Sequence, residues 1–419
     1  MTEGSPAALE RTRRRLTWSL VAGVGLGSTG YIAAVTVATL VAKDLTGGTG
    51  LAGLPGAVIV IGSATASTLL SAFMARRGRR PGLALGYGIG SLGALVAMAA
   101  LVMRSFPLFL LGTFLMGSAN AANQLSRYTA ADMVPIARRA SAIGLVVWGA
   151  TIGAVLGPNL VTIAGGTAEG LGLPLLAGAY GLLVLFVGAA GLLTLVTLRP
   201  DPYEVAADPE PRAPRREGAL VPARELLRRP TIAVSIIALI VGQVVMTLLM
   251  TMAPLHMTAH GHGVETVGLV LSAHTFGMFA LAPLSGRLTD RLGSPTTILL
   301  GMATLATSAI IAAAAPPDAE ALLVFALFLL GYGWNLGFVA GSAMLAEGLD
   351  LRERTRLEGV ADALIWSSAA AASLTSGIVV AWAGFATLGL LALALIAVPT
   401  VLLLGRRRAG VTAHGAVRP

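Results

Sequence analysis

Apolar residues run along this chain in long unbroken stretches, and polar residues gather in the short gaps between them. The stretches do not alternate with the period of a strand, and they are too long and too many for the core of a soluble domain. A bilayer core takes about 20 apolar residues per helix. That ruler finds twelve spans, at 17–41, 53–75, 82–103, 107–131, 140–164, 173–198, 231–255, 265–286, 296–315, 320–346, 357–382 and 385–405. Backbone N–H and C=O groups in lipid must be satisfied within the protein, so continuous runs of this length predict helices and not barrel strands. The expected fold class is an all-α membrane protein with twelve transmembrane helices.

Composition agrees with lipid as the solvent. Hydrophobic residues make up 55% of the 419-residue chain and charged residues 12%, against about 25% charged in a soluble domain. The mean hydropathy is +0.81, more apolar surface than a soluble core could hide. The net charge of +9 falls in short clusters without a basic face interleaved with aromatics, so nucleic acid is not an expected partner. Cysteine is absent, which removes disulfides, thiol catalysis and Cys-based metal sites. Arg11, Arg13, Arg14 and Arg15 precede an apolar stretch in the manner of a secretory signal. That stretch, Leu16 to Val41, is too long for one and is followed by no convincing cleavage site.

The arginines orient the helices. With both termini in the cytosol, the inner segments hold 26 of the 29 basic residues; Arg127 falls within a span, and only Lys43 and Arg104 fall outside. A wrong helix count would scatter these charges over both sides. The expected plan is a cytoplasmic tail 1–16, a six-helix bundle 17–198, a cytoplasmic linker 199–230, a second six-helix bundle 231–405 and a cytoplasmic tail 406–419, set in the cell membrane as a monomer. The linker carries Pro200, Pro202, Pro209, Pro211, Pro214 and Pro222 among mixed charges and reads as exposed.

The two halves repeat at a constant offset of 215 residues. Gly27 maps to Gly242, Gly53 to Gly268, Gly62 to Gly277, Arg76 to Arg291 and Gly78 to Gly293. Asn120 maps to Asn335, Asp132 to Glu347, Arg139 to Arg354 and Gly144 to Gly359. Parallel six-helix repeats imply two pseudo-symmetric bundles rocking about a site at their interface.

These residues resemble the major facilitator superfamily. Gly286-Arg287-Leu288-Thr289-Asp290-Arg291-Leu292-Gly293 is similar to that family's loop signature. The first-half copy, Ser71 to Arg80, is degraded, with Ala75 in place of the acidic residue. The resemblance implies a cytoplasmic charge latch: Asp290 with Arg291 and Glu347 in one half, and a weaker version from Asp132 and the Arg76–Arg80 cluster, Arg76 and Arg79 included, in the other. The alternative is that these charges only set topology. In the fifth span Gly149, Gly153, Gly157 and Pro158 resemble the family's antiporter signature, which implies export by exchange; close helix packing alone would explain the same spacing. The family's drug exporters carry an arginine near Thr113, which is absent here.

Polar groups at membrane depth are functional candidates by default. In the family, spans 1, 4, 7 and 10 line the cavity. The candidates for substrate contact there are Tyr31, Asn120, Asn123, Gln124, Gln243, Thr247, Trp334 and Asn335. The competing reading is interhelical glue, with Asn120 and Asn335 tying the two bundles together. His274 falls nine residues into span 8, about 14 Å along its axis, where it could carry a coupling proton, contact substrate or simply pack. Asp362 could titrate during transport or pair with a nearby arginine. Arg127 could draw an anionic solute or snorkel to headgroups. His256, His260 and His262 cluster beside Met252 and Met257, a candidate for a transition-metal site, with a hydrophilic outer loop as the other reading.

The expected function is secondary active transport by alternating access: export of a small apolar or amphipathic compound, with His274 and Asp362 as candidate carriers of exchanged protons. Uptake or facilitated flow of a nutrient is the alternative, with transition-metal export behind it. The phosphate-binding loop of an ATP-driven pump is missing, and neither a metalloprotease helix nor a carboxylate pair suits an intramembrane enzyme. No cofactor is implied.

Overall fold

A computed structural model describes residues 6–48, 50–207, 225, 227–316, 319–347 and 349–415. Among these residues the protein is helical throughout, without a strand. The α-helices are α1 (Pro6–Thr46), α2 (Leu54–Arg77), α3 (Arg79–Val102), α4 (Phe106–Asp132), α5 (Arg139–Gly170) and α6 (Ala177–Thr197), then α7 (Pro230–Ala259), α8 (Val264–Thr275), α9 (Ala282–Leu292), α10 (Ser294–Ala314), α11 (Glu320–Leu345), α12 (Leu351–Ala383) and α13 (Phe385–Gly415). Ten helices are long and apolar enough to cross a membrane, and the bent pair α8–α9 makes an eleventh. The remaining long helix is α4, at 27 residues, which is too polar to stand among them. Its polarity is tolerable because 19 of its residues are buried against protein and not offered to lipid.

Two expectations are corrected. Span 8 is not one continuous helix: a π-helical turn at Phe276–Ala280 separates α8 from α9, with a bend of 44°. Pro283 explains the break, since it has no N–H to offer the carbonyl one turn earlier. Nor is the start of the linker free in solvent: Pro202–Val205 forms a short 3₁₀ turn with Pro202 and Val205 buried. The remaining linker prolines, Pro209, Pro211, Pro214 and Pro222, lie outside the described residues.

The chain divides into two compact units, 1–223 with 346–367, and 224–345 with 368–419. The first half of α12 thus belongs with the N-terminal helices.

Within each unit the 215-residue repeat returns as equivalent contacts. Lipid provides no hydrophobic drive between helices, so close backbone approach at small residues carries the packing. A Cβ on Gly62 would lie 2.1 Å from the Phe114 carbonyl oxygen, and one on its repeat mate Gly277 would lie 2.6 Å from that of Phe328. Gly86 meets Ser118 and Ala122; its mate Gly301 meets Gly333 and Gly337. The loop glycines Gly78 and Gly293 share one backbone conformation, with φ of +100° and +81°, which an L side chain resists. The fold therefore retains the loop in the first half although its acidic residue is gone.

Candidate functional site

The sequence places arginines and carboxylates at the α2–α3 end of the first unit, and the fold buries four of them together. The Arg79 guanidinium meets Asp132 at 2.8 Å and Glu358 at 2.7 Å, and Arg354 meets the other Asp132 oxygen at 2.7 Å. All four side chains are at most 4% exposed. Two cations and two anions balance, so no net charge is buried, which is the condition on which such a cluster survives desolvation. Arg139, the repeat mate of Arg354, donates to the Ala346 carbonyl at 3.1 Å.

The start of the linker closes over this network. Asp201 accepts from the backbone N–H groups of Arg79 and Arg80 at 3.2 and 3.0 Å. It thereby caps the start of α3, which has no cap from its own flank. The Tyr203 ring lies 5.8 Å from the Arg79 guanidinium carbon, and its hydroxyl meets that of Thr355 at 2.5 Å. Thr355 already donates to the Leu351 carbonyl, so Tyr203 is the donor. Burial pushes the Tyr203 phenol up to about 12, which keeps that proton in place. From α1, Arg13 donates to the carbonyls of Val205 and Ala206 at 2.9 and 3.1 Å.

A second buried pair lies one turn and more from the first. Arg127 on α4 meets Asp362 on α12 at 2.5 Å, each 1% exposed. Arg127 also donates to the Gln124 side chain at 2.8 Å and to the Tyr128 hydroxyl at 2.9 Å. Snorkelling of Arg127 to headgroups is therefore corrected: a buried carboxylate supplies the counter-charge that headgroups would otherwise provide. The second oxygen of Asp362 is buried without a hydrogen-bond partner.

The cavity candidates form local groups. Asn120 donates to Ser63 at 3.3 Å, and Tyr87 donates to Asn123 at 2.9 Å. Asn335 donates to the Met278 carbonyl at 2.6 Å, so each asparagine bonds within its own unit, and the expectation that the two tie the bundles together is corrected. Tyr31 is half-buried on α1. In the second unit the Trp334 indole N–H donates to Gln243 at 2.9 Å, and Gln243 donates to Thr247 at 3.3 Å. Trp334 stacks on Phe338 with ring centroids 4.5 Å apart and meets Phe279 edge-on at 6.1 Å. His274 is 2% exposed; its Nδ1 meets the Leu327 carbonyl at 3.0 Å while its Nε2 is buried without a partner.

The remaining candidates lie at other positions along the chain. Arg76 and Arg291 are exposed at the ends of α2 and α9, Glu347 is exposed, and Asp290 is half-buried. The His256 ring stacks on Phe385 at 4.3 Å, and His260 Nδ1 is taken by the His256 carbonyl. Among the described residues no group of three or more His, Cys, Asp or Glu side chains could hold a metal ion. On α5, Gly149 and Gly153 press on the α1 backbone at Val21 and at Ser28–Thr29, and Gly157 faces Thr29.

The Major Facilitator Superfamily profile matches residues 18–265 and 236–418. This chain belongs to the major facilitator superfamily. It is a multi-pass membrane transporter. It is 36% identical over 404 residues to an uncharacterised transporter of the superfamily, YddS of Bacillus subtilis, covering 95% of this chain and 92% of that one. It is 31% identical over 392 residues to the riboflavin transporter RfnT of Brucella anthropi, covering 93% and 96%. The crystal structure of the superfamily transporter FucP in its outward conformation shares the fold, with a TM-score of 0.75 at 15% identity over 93% of this chain and 98% of that one.

Sequence reasoning missed Glu358, Asp201 and Tyr203. The one available signal was spacing: Glu358 lies four residues after Arg354, on the same face of α12. Nothing local marks a linker tyrosine as a lid on a buried arginine.

Proposed function

We propose that this transporter exports a small amphipathic compound with an aromatic ring, by alternating access and in exchange for protons. The observation that carries the substrate class is the array of Phe279, Trp334 and Phe338 with the Gln243 amide at its edge. Offset aromatic rings favour a planar solute, and one amide donor and acceptor set suits a polar edge. A relative whose name gives riboflavin, a planar heteroaromatic, supports the same class. Export is supported by the resemblance of the α5 glycine series to the antiporter signature. Proton exchange is supported by His274 and Asp362, each with one buried polar atom that has no partner. A cytosolic position for both termini is supported by the distribution of arginines.

The test is transport by purified protein in liposomes of known orientation, with flavins and a panel of aromatic and aliphatic compounds, with and without a pH gradient. Efflux of an aromatic compound that depends on the gradient and falls at least tenfold in Trp334→Ala is expected. Equal transport of aliphatic compounds, or net uptake down the gradient, overturns the substrate class or the direction respectively. Gradient dependence that persists in His274→Ala and in Asp362→Asn removes both as proton carriers.

A further inference from the structure

At the N-terminal end of α1 the outward face carries Arg11, Arg14, Arg15, Trp18 and Ala22, successive positions on one helical stripe. With Ser19 and Leu193 of α6 they line an open cleft of about 550 Å³. The helix is 41 residues long, about 60 Å at 1.5 Å per residue, roughly twice the thickness of a hydrocarbon core. Its first turns must therefore pass through the headgroup layer. Trp18 is 47% exposed, and an exposed tryptophan beside arginines is the side chain that settles at that layer.

The cleft joins two surfaces of opposite character. Its floor is apolar, from Trp18, Ala22 and Leu193; its rim is cationic. Arg15 also donates to the Arg199 carbonyl. Among the described residues none of the three arginines forms an ion pair with an acidic side chain, Glu10 included. Three guanidiniums above an apolar wall match a phosphodiester headgroup above its acyl chains, bound through charge-assisted hydrogen bonds.

We infer that the α1–α6 cleft formed by Arg11, Arg14, Arg15, Trp18 and Leu193 binds one anionic phospholipid, its phosphate on the arginines and its acyl chain along Trp18. The ligand is a membrane lipid and not a soluble anion, because the wall below the arginines is apolar. The same turns of α1 hold Arg13, which bonds the carbonyls of Val205 and Ala206, so the lipid steadies the helix from which the 201–207 segment hangs. The inference is independent of the transport reading and would hold for a protein that moved no solute.

The test uses the full chain in phosphatidylcholine vesicles containing either brominated phosphatidylglycerol or brominated phosphatidylcholine. The Trp18 signal is the difference in fluorescence between the parent and Trp18→Phe. Brominated phosphatidylglycerol is expected to quench Trp18 more strongly, with a preference that drops roughly fivefold for each arginine replaced by glutamine. Lysine at the same positions should retain most of the preference. Equal quenching by the two brominated lipids in the unmodified protein overturns the proposal, whatever the variants do. Displacement of the effect by inorganic phosphate in solution also overturns it, in favour of a soluble anion.

Discussion

Arg127 and Asp362, 235 residues apart in sequence, meet at 2.5 Å with both side chains 1% exposed. Removing one member leaves a buried charge without its opposite, which costs about 3–5 kcal/mol, whereas replacing both by apolar residues of similar volume is often neutral. Asp362→Asn and Arg127→Met should each lower the unfolding temperature in detergent, and Arg127→Met with Asp362→Leu should recover most of the loss. A double variant as unstable as the sum of the singles would show that the two side chains do not act as a pair.

Asp132 is reached by both Arg79 and Arg354, while Glu358 is reached by Arg79 alone among the bonds on that side. Asp132→Asn takes the carboxylate from Arg354 on α12, whereas Glu358→Gln leaves Arg79 paired with Asp132, so the first should loosen α12 where it packs on α2 more than the second does. The chain has no cysteine, so one introduced at Ser67, which is fully buried, gives a signal without background. Maleimide should label it at least about tenfold faster in Asp132→Asn, the factor that 1.4 kcal/mol produces. Equal rates in the two variants would refute the ranking.

Gly359 fits where nothing larger does. A Cβ there would sit 1.9 Å from the Ser71 hydroxyl and 2.4 Å from the Ser67 carbonyl oxygen. Gly359→Ala must push α12 from α2 and should cost about 1–3 kcal/mol, the range for overpacking, visible as a lower unfolding temperature and as faster labelling at position 67. Gly268→Ala, which meets open space, is the control and should leave both readings close to those of the parent.

The asparagines of the two repeats are matched but not equal. Asn120 bonds the Ser63 hydroxyl, and Ser63 still has the Ile59 carbonyl as its own acceptor. Asn335 bonds a backbone carbonyl inside the π-helical turn. Asn120→Ala should cost about 1 kcal/mol and Asn335→Ala up to about 3 kcal/mol, since the latter strands a buried acceptor. Hydrogen exchange at the Phe276–Ala280 turn should rise in Asn335→Ala alone.

What the sequence determined is whatever depends on neighbours along the chain. Continuous apolar runs set the helices and the lipid environment, because the bilayer acts on each segment by length and polarity. The 215-residue offset was legible in the sequence, and the contacts Asn120 on Ser63 and Asn335 on Met278 repeat it, their acceptors being 215 residues apart as well. Even the degraded first-half loop was legible through Gly78 and Gly293. Only the tertiary structure decided which polar groups pair. Arg79 finds Glu358 at a separation of 279 residues and Arg127 finds Asp362 at 235, while Tyr203 closes over the first of these from a segment that reads as exposed linker. Such choices depend on distance in space after packing and on the desolvation each charge must offset, and neither quantity is written in local hydropathy.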